Sequence, residues 1–336
     1  MSNARAVLFG VAGETLGAAE RAFFRDADPL GFILFARNCA APRQVRALVA
    51  ELRDCVGRRD APVLIDEEGG RVARLQPPHW PAYPSAALIA ALPDPQAGEA
   101  ARLGARLIAD DLAALGISVD CMPVLDLPVP GADAVIGDRA YGGDPARVAA
   151  LGGAVCEGLL AGGVLPVLKH IPGHGRATVD SHRALPRVAA SRAELERTDF
   201  APFRALNKMP WAMTAHILYA ALDDKTPATL SPRLIDEVIR ASIGFDGVLV
   251  SDDLSMAALP GRLGERAAGA IGAGCDVVLH CTGALEEMKE IAAAVGPLNP
   301  AARARIAAGE ALRGSVERFD RASAERRFAA LLAGEG

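Results

Sequence analysis

Eight short apolar runs, none of them alternating with polar residues, constrain this chain more than any other feature. They are Ala6 to Phe9, Phe32 to Phe35, Pro62 to Ile65, Ile117 to Val119, Leu165 to Leu168, Trp211 to Thr214, Gly247 to Val250 and Asp276 to Leu279. A strand with one wet face alternates, so an unbroken run marks a strand covered on both sides, as in a parallel sheet. Helical patterns lie between the runs. Val45, Leu48, Val49, Leu52 and Val56 share one helical face, as do Val148, Leu151, Val155 and Leu159. Ser191 with Glu194 is a capping-box pattern, Ser231-Pro232 reads as N-cap and N1 before Leu234, Ile235, Val238 and Ile239, and Gly116, Gly162 and Gly244 stand where helices should end. Eightfold alternation predicts an α/β fold, a single-domain (β/α)8 TIM barrel over residues 1–336. The stretch from Gln76 to Pro95, which contains Trp80, is expected as an ordered βα loop near the barrel mouth. The Ala- and Arg-rich residues from about 300 to 336 are expected as helices packed on the outside, with the last few frayed.

In such a barrel the reacting groups belong at the carboxyl ends of the strands. Strand 3 runs into Asp66 and EEGGRVAR, strand 4 into Pro123-Val124-Leu125-Asp126, strand 5 into Lys169-His170, strand 6 into His216 and strand 7 into Ser251-Asp252-Asp253. The densest stretch is 164–182, VLPVLKHIPGHGRATVDSH, where a buried strand feeds a Gly- and Pro-rich loop expected to be mobile. A lone Lys or His is usually a satisfied core or surface group. Lys169, His170, His174, Asp180 and His182 together after one strand point to a reacting site.

Several classes of function fall away. The net charge of −5, without any block of Lys or Arg, gives no footprint for nucleic acid or an anionic membrane. The apolar stretch before Gly10 is too short for a secretory signal, so a cytoplasmic protein is expected. Six Cys at 39, 55, 121, 156, 275 and 281 form no CxxC pair and read as reduced thiols. A metal hydrolase would carry several His and carboxylate ligands, typically an HxH on the first strand, whereas this one ends FGVAGET. No metal and no cofactor are expected.

What remains is a carboxylate nucleophile with a separate acid/base. Asp252 ends an apolar strand, where it can attack an electrophilic carbon, and Asp180 stands two residues from His182, where it can orient the imidazole and favour its protonated form. A proton donor and a nucleophile suffice for retaining glycoside hydrolysis.

KHIPGHG followed by DSH, with DEEGGRVAR, IGDRAY and FDGVLVSDDLSM, closely resembles the family 3 glycoside hydrolases, in particular their single-domain bacterial β-N-acetylglucosaminidases of the NagZ type. The resemblance runs from about Gly31 to Cys281 with the motifs in the family's order. It implies Asp252 as nucleophile, His182 as general acid/base held by Asp180, and substrate contacts from Asp66, Arg74, Arg139, Lys169 and His170. The family often has Gln where Glu67 stands, a departure that leaves Asp66 and Arg74 intact. His174 is expected to brace its loop, and His216 matches no catalytic role. The implied activity is a retaining exo-β-N-acetylglucosaminidase acting on peptidoglycan fragments in cell-wall recycling, as a monomer whose partner is a small carbohydrate. Phosphorolysis, another β-glycosidase, or a silent sugar-binding barrel are the alternatives. The short chain and Asp180-Ser181-His182 argue against a β-glucosidase, and the presence of both Asp252 and His182 argues against a silent barrel.

Overall fold

The computed structural model describes residues 3–314, 316 and 318–334. Eight parallel strands close into a barrel: β1 (Arg5–Gly10), β2 (Pro29–Leu34), β3 (Val63–Ile65), β4 (Val119–Asp120), β5 (Leu165–Ile171), β6 (Trp211–Thr214), β7 (Val248–Asp253) and β8 (Val277–His280). Each strand pairs with its neighbours in sequence, and β8 closes on β1 with Val7 opposite Val278. Each of the eight expected runs supplies one strand. β2 starts three residues ahead of its run, at Pro29, and β5 and β7 continue past theirs into polar residues. Those extensions carry Lys169, His170, Asp252 and Asp253 on the strands themselves.

The expected helical faces point inward. Helix α1 (Ala18–Ala27) is followed by α2 (Pro42–Cys55), which buries Val45, Leu48, Val49 and Leu52, each burial stabilising by about 1.5–3 kcal/mol. Helices α3 (Gln96–Leu115) and α4 (Pro145–Ala161) pack closely, because Gly158 lies where a Cβ would come 2.3 Å from the Arg102 carbonyl oxygen. Ser231 Oγ accepts the Leu234 N–H at 3.1 Å and starts the segment Leu234–Ser242, wound as a π-helix. Ser191 Oγ likewise accepts the Glu194 N–H at 3.3 Å, but the Glu194 carboxylate pairs with Arg176 at 2.7 Å instead of returning to the cap. Gly116 and Gly244 take positive φ at helix ends. Gly162 closes α4 at φ −90°, and the left-handed turn falls one residue later, at Gly163.

The 76–95 stretch is ordered between β3 and α3, with Trp80 and Tyr83 buried and a short helix at Ala86–Ala90. After β8, the helix Leu285–Ala294 is followed by Pro300–Ala311 and Arg321–Leu332 on the outside. The last of these packs on α3: Phe328 covers Gly104, and Arg321 pairs with Asp110 at 2.9 Å and Asp111 at 2.7 Å. The frayed end expected at the carboxyl terminus lies outside the described residues. Among the described residues no helix is long and apolar enough to cross a membrane.

Candidate active site

The carboxyl ends of the strands surround a cavity of about 350 Å³. Asp66, Arg74, Arg139, Lys169, His170, Asp180, His182 and Asp252, separated by as many as 186 positions in sequence, all line it.

Its floor is an ion network. Lys169 is buried, and an ammonium can be removed from water only if its charge is matched. Nζ lies 2.8 Å from Asp66 Oδ1 and 2.6 Å from Glu68 Oε1. Arg74 donates to the other Asp66 oxygen at 3.0 Å, and Arg139 grips Glu68 with two bonds of 2.8 Å. Burial alone would lower the pKa of Lys169 and raise those of both carboxylates. The opposite charges outweigh it, so Lys169 sits above its ordinary value and Asp66 and Glu68 sit below theirs. All stay charged at neutral pH, presenting acceptors and donors to a polyhydroxylated ligand.

Glu68 was not expected at the site. A signal for it existed: extended residues two apart face the same side, so Asp66 and Glu68 go together while Glu67 faces away. Glu67 is indeed buried outside the cavity, accepting the N–H groups of Arg74 at 2.7 Å and Leu75 at 2.9 Å. Burial pushes its carboxyl up to about 7 against those two bonds.

The register of β5 against β6 shifts between Lys169 and Ile171, which lets consecutive residues Lys169 and His170 both reach the cavity. The His170 ring is fixed from behind by Asp126, 2.7 Å from Nδ1. Asp126 is fully buried, and its other oxygen accepts the N–H of His170 at 3.2 Å and of His174 at 2.6 Å. The carboxylate at the end of strand 4 is thus the brace for the two histidines that follow strand 5. The IPGHG segment, expected as mobile, is instead buried and tied down. Tyr219 Oη donates to the Gly173 carbonyl at 2.5 Å, and a Cβ on Gly175 would meet the Leu127 carbonyl oxygen at 2.1 Å.

Asp252 stands at the end of β7 with one oxygen accepting the Asp253 N–H at 2.8 Å. Burial would raise its pKa, but nearby His170 and His216, with that N–H, hold it below the usual carboxylate value. It is an anion at neutral pH. His216 is buried: Nε2 donates to the Asp253 carbonyl at 3.0 Å and Nδ1 lies 2.7 Å from Thr229 Oγ1. His216 therefore steadies the backbone beside Asp252 without lining the cavity.

Across the cavity, Asp180 Oδ1 lies 2.8 Å from His182 Nδ1 and also accepts the His182 backbone N–H at 2.9 Å. This pair fixes the ring with Nε2 left for substrate. The cavity therefore brings together an anionic carboxylate able to act as a nucleophile, a carboxylate-held imidazole able to move a proton, and a polar floor for hydroxyl groups. No group of three or more metal-ligating side chains occurs among the described residues.

Residues 17–311 match the family described as glycosyl hydrolase family 3 N terminal domain. A β-hexosaminidase from Pseudomonas aeruginosa strain LESB58 is 40% identical over 278 residues, 82% of each chain. Another from Chromobacterium violaceum is 38% identical over 309 residues, 89% of this chain and 85% of its own. Native NagZ from Neisseria gonorrhoeae superposes with a TM-score of 0.87 at 33% identity, covering 98% of both chains. A family 3 β-N-acetylglucosaminidase from Paenibacillus sp. has a TM-score of 0.79 at 37% identity, and 98% of this chain covers 61% of that longer one. Motifs, barrel and cavity agree with these likenesses over nearly the whole length, and the chain belongs to glycosyl hydrolase family 3.

Proposed function

We propose that the protein is a retaining exo-β-N-acetylglucosaminidase that removes terminal N-acetylglucosamine from peptidoglycan fragments. The observation that carries the reading is the sharing of one cavity by ionised Asp252 and the Asp180–His182 dyad. Asp252 attacks the anomeric carbon while His182, as imidazolium, protonates the departing oxygen. The resulting glycosyl ester is then opened by water, whose proton passes to neutral His182. Asp66, Arg74, Arg139, Lys169 and His170 hold the sugar, with Glu68 setting Arg139 and Lys169. The Paenibacillus relative's name, a β-N-acetylglucosaminidase, supports the sugar, and the Pseudomonas relative's supports a hexosaminide. All six cysteines are free, which suits the reducing cytoplasm where wall fragments are recycled. The protein is taken to act as a monomer on a small carbohydrate.

The test is incubation with an aryl β-N-acetylglucosaminide and its glucoside counterpart, with and without phosphate, and with EDTA. Release of N-acetylglucosamine from the first alone, unchanged by EDTA, is expected. Cleavage of the glucoside at an equal rate overturns the substrate assignment, and phosphate-dependent formation of N-acetylglucosamine 1-phosphate replaces hydrolysis by phosphorolysis.

A further inference from the structure

The dyad is interrupted by a residue of opposite character. The His182 side chain is 67% exposed, whereas Ser181, between it and Asp180, is 2% exposed. A buried serine between half-buried Asp180 and exposed His182 needs partners for its polar groups, and Ser181 has one at each end. Its carbonyl accepts the Ala258 N–H at 3.1 Å, and its hydroxyl lies 3.2 Å from His174 Nε2. Among the described residues, every hydrogen bond that leaves segment 178–185 for the rest of the protein runs through Ser181.

Both partners lead to the nucleophile's side of the cavity. Ala258 lies six positions past Asp252, in the segment that follows β7. His174 donates its backbone N–H to Asp126, the carboxylate that also holds the His170 ring. His174 Nδ1 is buried with no partner among the described residues, so the ring proton belongs on Nε2, where Ser181 Oγ accepts it. Burial, and behind it His170, pushes His174 down to about 4, which keeps that ring neutral near neutral pH.

We propose that Ser181, clamped between His174 and Ala258, is the positioning residue that sets where the Asp180–His182 dyad stands over the cavity. The inference rests on the assignment of that dyad as acid/base. Proton donation depends on placement within a fraction of an ångström, and a displacement of 1 Å can cost about a hundredfold. Losing one tether leaves the dyad's own Asp180–His182 bond intact but lets it swing as a unit.

The experiment is leaving-group dependence. For Ser181→Ala, kcat/KM on 4-methylumbelliferyl β-N-acetylglucosaminide should fall about ten- to a hundredfold, within the range that general acid catalysis contributes. On the 2,4-dinitrophenyl glycoside, which departs with little protonation, it should change by less than about threefold on the same grounds. His174→Ala should reproduce this split and carries the test if Ser181→Ala does not fold. The double variant should be no worse than either single one, and His174→Gln, which keeps a donor, should recover most of the loss. Equal losses on both substrates, no loss on either, or additive losses in the double variant overturn the proposal. The parent reading is tested apart from it by His182→Ala. If that variant fails to discriminate leaving groups, the acid/base assignment falls and takes this inference with it. If it discriminates and Ser181→Ala does not, the positioning role alone is wrong.

Discussion

Asp66 and Glu67 are adjacent in the chain and titrate in opposite directions: Asp66 is held below its ordinary value by Lys169 and Arg74 against its burial, while burial lifts Glu67 to about 7. The first faces the cavity and meets two cations. The second faces the protein, where its carboxylate accepts two backbone N–H groups and lies within electrostatic range of Arg74, Asp111, Asp120 and Cys39.

That difference predicts a pH-dependent stability. Glu67 is raised from 4.5 to about 7, so between those values the folded protein holds a proton that the unfolded chain has released. Stability therefore falls as pH rises through that window and stays lowered above it. Glu67→Gln removes the ionisation while keeping an oxygen for the Arg74 and Leu75 amides. It should raise the melting temperature at pH 8 by several degrees, up to roughly 3 kcal/mol, with the gain vanishing near pH 4.5. Thermal unfolding at the two pH values checks it, and a gain independent of pH counts against it.

Glu68 should matter for stability more than Asp66. Its carboxylate is the bidentate ion-pair partner of Arg139 and one of the two that pair with buried Lys169, so removing its charge takes away Arg139's partner and half of Lys169's. Breaking a buried pair in this way costs about 3–5 kcal/mol. Glu68→Gln should unfold at clearly lower denaturant concentration than Asp66→Asn, while Asp66→Asn weakens N-acetylglucosamine inhibition by about tenfold or more, equivalent to about 1.4 kcal/mol or more. Equilibrium denaturation and inhibition constants separate the two roles.

Asp252→Asn should keep the fold and bind sugar while losing turnover by several orders of magnitude, because the attacking charge is gone. Trapping with a 5-fluoro glycoside followed by peptide mass spectrometry should place the label on Asp252. A label on Asp253, or full activity in the variant, moves the nucleophile elsewhere.

The pH profile follows from the same pair. Glycosylation needs Asp252 ionised and His182 protonated. Since Asp252 is held below its ordinary value of 3.8, the acid limb of kcat/KM should lie below about pH 4. His182→Ala should slow poor leaving groups far more than good ones. It should also slow deglycosylation, giving a burst and an accumulated covalent intermediate. Equal losses on good and poor leaving groups, with no burst, assign the acid/base role to another group.

The barrel was legible in the chain because its signals are local. Unbroken apolar runs report strands covered on both faces, and Ser231, Gly116 and the spacing of Val45, Leu48, Val49 and Leu52 report helix starts, ends and faces within a turn or two. Once eight such strands are in order, their carboxyl ends must converge, and the eight residues chosen from those ends and motifs do share one cavity. Closure of the barrel decided what those residues touch. Glu68 became part of the floor because Arg139, 71 positions away, was brought against it, and Asp126 became a brace because β4 lies beside β5. Nothing in the sequence around Asp180 and His182 marks Ser181, and folding alone placed His174 and Ala258 against it. Strand period and helix caps are written in neighbouring residues, whereas charge pairing, burial and the pKa values they set depend on partners that only the closed barrel supplies.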